Sequence, residues 1–388
     1  MLAMFPRQLR LPDRSFLLFG PRGTGKTTWL RSTLPNAHWT DLVVDRELVR
    51  LMRDPGRFTQ EVEALPTRSW VVIDEVQKLP ALLNEVQDLI ARHGRRYRFA
   101  ITGSSARKLR RGDVNLLPGR LINRRFFPLT AAEMGADVPV DEILRFGCLP
   151  AVRSDARDAG RVDLLEAYAE NYLTQEIRQE ALVKSLASFT RFLEVAALMN
   201  AQVTNVAGIA RDAAVARPTV QGYFDILVDT LIGTWLPAWR PRAKVKEVAH
   251  PKFYFFDTGA VRALAGRLRE PLTDQERGHL LETYVLHELR AWINHSGCGG
   301  QLAYWRTPSG SEVDFVWSRA TTVHGIEVKA ATRWRRGDGA ALVQLHAEKK
   351  LRRAVAVYLG RETLRDGPIS VLPLREFVLR LADGGVLG

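Results

Sequence analysis

The stretch Ser15–Leu34, SFLLFGPRGTGKTTWLRSTL, constrains this chain more than any other. Ser15 to Phe19 reads as a short buried strand. Gly20-Pro21-Arg22-Gly23-Thr24-Gly25-Lys26-Thr27 follows, and a segment of helical pattern then runs to Pro35. Strand, GxxxxGK[ST] and helix in that order make a phosphate-binding loop. Gly20 and Gly25 let the backbone curl so that its N–H groups point at phosphate oxygens, and the helix N-terminus adds its partial positive charge. The pattern assigns Gly20 through Thr28 to a nucleotide. Lys26 reaches the β- and γ-phosphates and the Thr27 hydroxyl takes Mg²⁺.

A carboxylate pair downstream fits that loop. Trp70-Val71-Val72-Ile73-Asp74-Glu75 is an apolar run ending in two acids. Behind a P-loop the first of them, Asp74, stands beside Mg²⁺, and Glu75 can aim at the attacking water as general base. Ala37 to Val44 holds a second short strand, Phe58 to Leu65 a helix, and Pro80 to Gly94 an amphipathic helix with a glycine stop. Arg98 to Ser105 is another strand ending in small polar residues, and Ile122 to Phe127 one more. Strands alternating with helices imply α/β architecture, a parallel sheet in three layers. The expected cofactors are ATP and Mg²⁺.

At 388 residues the chain exceeds one core, so two to four domains are expected. The net charge of +13 favours a polyanionic partner such as nucleic acid. Of the basic residues 46 are Arg and 10 Lys, a bias that a GC-rich genome also produces. The region Gly300–Gly360 is locally basic, with ten Lys or Arg against five Asp or Glu. No apolar run reaches membrane-span length and no signal-peptide core is apparent, so a cytoplasmic protein with no membrane partner is expected. Two cysteines, Cys148 and Cys298, build no disulfide framework or cysteine-rich zinc site. His287, His295, His324 and His346 form no metal-ligand pattern and read as ordinary histidines.

The motif order resembles the AAA+ ATPases, and most of all a prokaryotic branch in which a short AAA+ module is fused to an uncharacterised C-terminal domain. GPRGTGKTT at 20–28, VVIDEVQKLP at 71–80, ITGSSARKL at 101–109, PGR at 118–120 and FFPLT at 126–130 carry the match. The resemblance implies that Ser104 sits at the sensor-1 position and that Arg120 is the candidate arginine finger, with Arg124 and Arg125 as rivals. A finger acting in trans would require a homo-oligomer. Gln77 fits the family's DExQ pattern without an evident chemical role. A helical lid is expected over Pro139 to Ala181, with Cys148 where the family tends to carry the second glycine of Gly-Gly-Leu-Pro, and with Arg145 and Arg178 as sensor-2 candidates. The expected boundaries are 1–135 for the ATPase core, 136–183 for the lid, 184–257 for a connector and 258–388 for the C-terminal domain.

In the connector, Ser188 to Asn200 is an amphipathic helix. Asn205 to Ala214, a tight turn at Val215-Ala216-Arg217, and Pro218 to Ile232 read as helix, turn, helix. Thr219, Gln221 and Tyr223 are expected to be exposed near the start of the second. Apolar β-prone segments at Trp235 to Trp239 and Phe253 to Phe256 follow, with Arg240, Arg242, Lys244 and Lys246 between them. This resembles a winged helix, whose second helix can enter a DNA major groove while the wing touches phosphates. Such modules also dock proteins, so DNA and a protein partner both stay open, DNA favoured. Asp257 reads as a turn or cap residue.

A second set of acids lies further on. Glu282 falls on a helix with Leu281, Val285, Leu289 and Trp292 as its apolar stripe. Asp314 follows in Gly310-Ser311-Glu312-Val313-Asp314-Phe315-Val316, and Ile326-Glu327-Val328-Lys329 ends a third strand. Period-two alternation puts Glu327 and Lys329 on one face, where Asp314 and Glu282 could join them. Carboxylates around Mg²⁺ or Mn²⁺ with a nearby lysine suit phosphodiester hydrolysis. The arrangement resembles the PD-(D/E)xK nuclease superfamily and implies an α/β, restriction-endonuclease-like domain with Glu282, Asp314, Glu327 and Lys329 as its site. Asp314 and Glu327 would be the metal ligands, and Arg333, Arg335 and Arg336 would grip the phosphate backbone. An inert fold kept as a binding platform is the alternative.

Overall fold

The computed structural model describes residues 5–105, 119–135, 137–171, 177, 183–240 and 250–388. The chain forms two compact units, one of Arg7–Pro128 with Asp229–Ile232, the other of Met1–Pro6, Leu129–Val228 and Gly233–Gly388. Arg178, Arg242, Lys244, Lys246, Pro118 and the ARKL end of 101–109 lie outside the described residues.

The first unit is a five-stranded sheet of β1 (Phe16–Phe19), β2 (His38–Asp41), β3 (Trp70–Asp74), β4 (Arg98–Gly103) and β5 (Ile122–Arg125), in the order β2-β3-β4-β1-β5. Every pairing is parallel. Both faces are therefore covered, and alternate residues feed two cores. Leu17, Val71, Ile73, Phe99 and Ile101 pack with Leu51 of α2 (Asp45–Arg53), Phe58 and Val62 of α3 (Gly56–Glu63), and Leu83, Val86 and Leu89 of α4 (Leu82–His93). Phe16, Leu18, Val72 and Ala100 pack on the other side with Trp29 and Leu30 of α1 (Lys26–Thr33). Gly94 ends α4 with φ 59°, as a glycine stop does.

The second unit begins with three short helices, α5 (Ala131–Met134), α6 (Val140–Phe146) and α7 (Pro150–Ser154), and the longer α8 (Asp158–Asn171). Next come α9 (Leu186–Leu198), α10 (Val206–Asp212) and α11 (Arg217–Asp229), then the antiparallel pair β6 (Gly233–Leu236) and β7 (Lys252–Phe255). Thr219 and Gln221 are exposed at the start of α11, but Tyr223 is not: it is 6% exposed and stacks edge-on against Phe189 at 5.0 Å. Val220, Tyr223, Phe224 and Leu227 are all buried, so the i, i+3, i+4, i+7 stripe runs through the tyrosine.

After α12 (Thr258–Leu264) and α13 (Asp274–Ser296) comes a six-stranded mixed sheet in the order β12-β13-β11-β10-β9-β8. Its strands are β8 (Gln301–Arg306), β9 (Glu312–Arg319), β10 (Thr322–Lys329), β11 (Arg353–Tyr358), β12 (Leu364–Asp366) and β13 (Ile369–Pro373). Helix α13 packs on β10, and α14 (Ala340–Ala347) buries Leu342 and Leu345 against Val316, Ala356 and Ile369. The last helix, α15 (Leu374–Ala382), packs on β13. His287 and His324 are buried and pair with the carbonyls of Leu129 and Val386. Among the described residues, no helix is long and apolar enough to cross a membrane.

Buried carboxyls stitch this unit together. Asp257 caps α12 by accepting from Ala260 N at 3.0 Å and also accepts from Cys148 N at 2.6 Å. A Cβ on Gly147 would lie 2.0 Å from Asp257 Oδ1, so that loop can carry only glycine there. Glu288 accepts from Ala131 N at 2.7 Å, and desolvation pushes its carboxyl up to about 7. Its folded value lies above the unfolded one, so this contribution to stability is present at low pH and lost as pH rises towards 7. Glu288→Gln should therefore flatten the fall in urea midpoint between pH 5 and 7.5, an effect of up to about 3 kcal/mol.

Candidate functional site

The nucleotide end is built by the turn after β1. Gly23 and Gly25 have φ of 80° and 92°, a conformation that L side chains rarely adopt, and the curl places Gly25 as the N-cap of α1. A Cβ on Gly20 would stand 2.3 Å from the carbonyl oxygen of Phe126. Lys26 Nζ donates to the carbonyls of Gly20 and Pro21 at 2.8 and 3.1 Å, which holds the ammonium across the mouth of the loop. Thr24 Oγ1 donates to Pro21 O at 2.9 Å. Pro21 is buried, while Arg22, Gly23 and Thr28 are on the surface.

Asp74 is 2% exposed at the end of β3. Its Oδ2 accepts from Thr27 Oγ1 at 2.7 Å, and its Oδ1 accepts from Thr102 Oγ1. Desolvation pushes the Asp74 carboxyl above its ordinary range, the two hydroxyls pull it back, and the charges of Glu75 and Asp41 push it further up. A carboxylate beside a threonine hydroxyl and short of positive charge is a donor set that fits Mg²⁺.

Glu75 has φ 58°, a left-handed conformation that costs a non-glycine residue on the order of 1 kcal/mol. Thr102 secures it by accepting from Glu75 N at 2.9 Å. Two further side chains hold its carboxylate: Ser104 Oγ donates to Oε2 at 3.1 Å, and Gln77 Nε2 donates to both Oε2 and Ser104 Oγ, the latter at 2.9 Å. The structure thus gives Gln77 a role that its sequence pattern left blank. Arg7 is another residue the motifs do not mark: it donates to Thr24 O at 2.9 Å and Phe127 O at 2.6 Å, with its guanidinium 4.1 Å over the Phe126 ring.

The candidate fingers separate. Phe16 pairs with Ile122 and Phe19 with Arg125, so Arg124 and Arg125 adjoin the P-loop end of β1. Arg120 precedes β5 at the opposite end of the sheet, exposed, donating to Gln87 O at 3.2 Å. It does not join Lys26, Asp74 and Glu75. Of the sensor-2 candidates, Arg145 pairs with Asp158 at 3.1 Å.

In the second unit, Glu282, Asp314, Glu327 and Lys329 line one cavity of about 440 Å³. Ile326 opposite Phe315 sets Asp314 beside Glu327, and Val328 N donates to Asp314 Oδ2 at 2.8 Å. Lys329 Nζ lies 2.6 Å from Glu327 Oε1, while the other oxygen, Oε2, is buried without a hydrogen-bond partner. Two residues absent from the sequence expectation complete the cluster. Lys252, 4% exposed on β7, puts Nζ 2.5 Å from Glu312 Oε1, 3.1 Å from Glu282 Oε2 and 3.9 Å from Asp314 Oδ1. Glu312 also meets Arg306 at 3.3 Å, and Tyr254 OH donates to Glu282 at 2.9 Å.

The electrostatics follow from the crowding. Desolvation, then repulsion from Glu282, pushes Asp314 up to about 7; desolvation and Asp314 push Glu327 well up, and desolvation raises Glu282. Burial by itself would lower Lys252, but the acids around it outweigh that and raise it. Among the described residues, no three His, Cys, Asp or Glu side chains are arranged to hold a metal ion. The orphaned Glu327 oxygen and the Asp314 carboxylate paired beside it across β9 and β10 nevertheless fit a cation between those two acids.

Residues 12–135 match the AAA domain family, which supports an AAA-type ATPase. Residues 139–270 and 277–377 match two domains of unknown function, DUF8612 and DUF4143. Uncharacterised proteins of Mycobacterium tuberculosis and Mycobacterium bovis are each 29% identical over 368 residues, covering 92% of this chain and 79% of theirs. The structure of C. elegans PCH-2, 16% identical, covers 42% of this chain and 41% of its own at a TM-score of 0.21. Protein VC1899 from Vibrio cholerae, 11% identical, covers 96% of both chains at the same score, too low for either superposition to bear on the fold.

The closest steric constraint in the P-loop is open to test. Gly20→Ala drives a methyl into the Phe126 carbonyl and should destabilise the first unit by about 1–3 kcal/mol. Differential scanning calorimetry should show the transition that ATP raises in the wild type shifted down and no longer raised by added ATP.

Proposed function

We propose that this chain is an AAA-type ATPase whose hydrolysis cycle governs a metal-dependent phosphodiester site in its second unit. The observation that carries the ATPase part is the chain of bonds from Thr27 through Asp74 and Thr102 to Glu75, with Gln77 and Ser104 closing on the same carboxylate. Lys26 and the curled backbone of 20–27 bind the β- and γ-phosphates. Thr27 and Asp74 would hold Mg²⁺, which neutralises charge on the phosphates when bound. Glu75 takes the proton of the attacking water, and Ser104 and Gln77 keep its carboxylate aimed. Arg120, remote from its own P-loop, supports a finger that serves the nucleotide of a neighbouring copy, which makes a homo-oligomer the working form.

At the second site Asp314 and Glu327 would hold Mg²⁺ or Mn²⁺, which would supply an activated water and charge neutralisation. Glu327 positions the Lys329 ammonium, and Lys329 in turn orients the nucleophile or steadies the phosphate. Glu282, set by Tyr254, completes the negative wall. The helix, three antiparallel strands, helix, parallel strand order from α13 to β11 supports a PD-(D/E)xK-like domain. The net charge of +13 and the exposed Thr219 and Gln221 on α11 favour DNA as the partner, contacted as a winged helix contacts it.

A second reading draws on the absence of a three-acid metal cage among the described residues: an ATP-driven switch that binds DNA or a protein, with an inert nuclease-like fold. Side-by-side assays of wild type, Lys26→Ala and Asp314→Ala with ATP and Mg²⁺ or Mn²⁺ separate the two. The nuclease reading expects Asp314→Ala to abolish DNA cutting with ATPase activity intact, and Lys26→Ala to abolish ATPase activity. No cutting by wild type under any nucleotide condition leaves the switch.

A further inference from the structure

The acids of the second site are unequally supplied with cations. Glu282 and Glu312 share the Lys252 ammonium, and Glu312 has Arg306 on its far oxygen. Asp314 and Glu327 have Lys329, which touches only Glu327 Oε1. Glu327 Oε2 is left buried, lining the cavity with no partner, while Asp314 Oδ1 has Lys252 no nearer than 3.9 Å. Lys252 comes from β7, the strand that also carries Tyr254, and its partner across the β6–β7 pair is Leu236. A lysine at 4% exposure on a strand whose four residues are all buried is retained only against a strong local field.

We propose that Lys252 is a resident cation of this site, standing where a second metal ion would bind, so that the site takes a single divalent cation between Asp314 and Glu327. The inference rests on the reading of that cavity as a metal-dependent site. Charge bookkeeping supports it: with Lys252 and Arg306 offsetting Glu282 and Glu312, the remaining acids exceed Lys329 by one charge. One divalent ion turns that deficit into a single positive excess, suited to one phosphodiester anion. A second ion on Glu282 and Glu312 would have to displace or stand against the ammonium 2.5 Å from Glu312. Lys252 is thus a positioning residue that fixes how many metals the site admits.

The test counts Mn²⁺ bound by the nucleotide-free full-length protein, using electron paramagnetic resonance and calorimetry. Asp314→Asn serves as the subtraction that isolates this site from the P-loop. One equivalent is expected to disappear between wild type and Asp314→Asn, and Lys252→Met is expected to bind one more than wild type. Lys252→Met strips the counter-ion from two acids, so its melting temperature should also gain more from Mn²⁺ than that of wild type does. If it does not fold, Lys252→Arg keeps the charge and should keep the wild-type count. Loss of two equivalents from wild type in the subtraction, or an unchanged count in a folded Lys252→Met, overturns the role of Lys252 alone. No Mn²⁺ lost on Asp314→Asn overturns the metal-site reading itself and this inference with it.

Discussion

The nucleotide end depends on one constraint: a carboxylate taken out of water must be satisfied. Asp74, at 2% exposure, meets that demand with the hydroxyls of Thr27 and Thr102. In doing so it ties the first turn of α1 to the ends of β3 and β4. Thr102 passes the constraint on to the backbone of Glu75, whose left-handed turn throws its carboxylate towards Ser104 and Gln77. The geometry of the site is thus a consequence of burying a single acid at the end of a parallel strand, and the glycines of the P-loop supply the room in which it happens.

The second unit solves the same problem with ammonium groups and protons. Glu288 and Asp257 are held by backbone N–H groups and sit with carboxyls raised to about 7 and about 6. Glu282, Glu312, Asp314 and Glu327 cannot all be satisfied this way, because they share one cavity. Lys252 and Lys329 take part of the load, and the remainder shows as one orphaned oxygen and one carboxyl at about 7. Asp257 and Glu288 each accept backbone N–H bonds, whereas Glu327 Oε2 lines this cavity with none, and that difference is the physical case for assigning the cluster a ligand.

Much of this was legible in the sequence, for identifiable reasons. The P-loop and the VVIDE strand carry local signals, a glycine pattern and an apolar run ending in acids, which survive without any knowledge of tertiary contacts. Glu282, Asp314, Glu327 and Lys329 come together as the period-two alternation suggests. Lys252 was missed because its partners lie 30 or more residues away, although a lysine in the run Lys252-Phe253-Tyr254-Phe255-Phe256 is itself a signal. Glu312 was equally readable, two residues from Asp314 on one strand. Tyr223, expected at the surface beside Thr219 and Gln221, is buried because it falls in the apolar stripe of α11 with Val220, Phe224 and Leu227. Arg7 and Gln77 act through carbonyl and side-chain bonds that no spacing rule reports.

The proposed role of Glu75, held by Ser104 and Gln77, is that of general base in ATP hydrolysis. It is tested most directly by nucleotide binding and steady-state turnover of full-length Glu75→Gln beside wild type. ATP affinity within about threefold of wild type and turnover reduced by about 100-fold or more are expected. Turnover at the wild-type rate in a variant that binds ATP normally would contradict it.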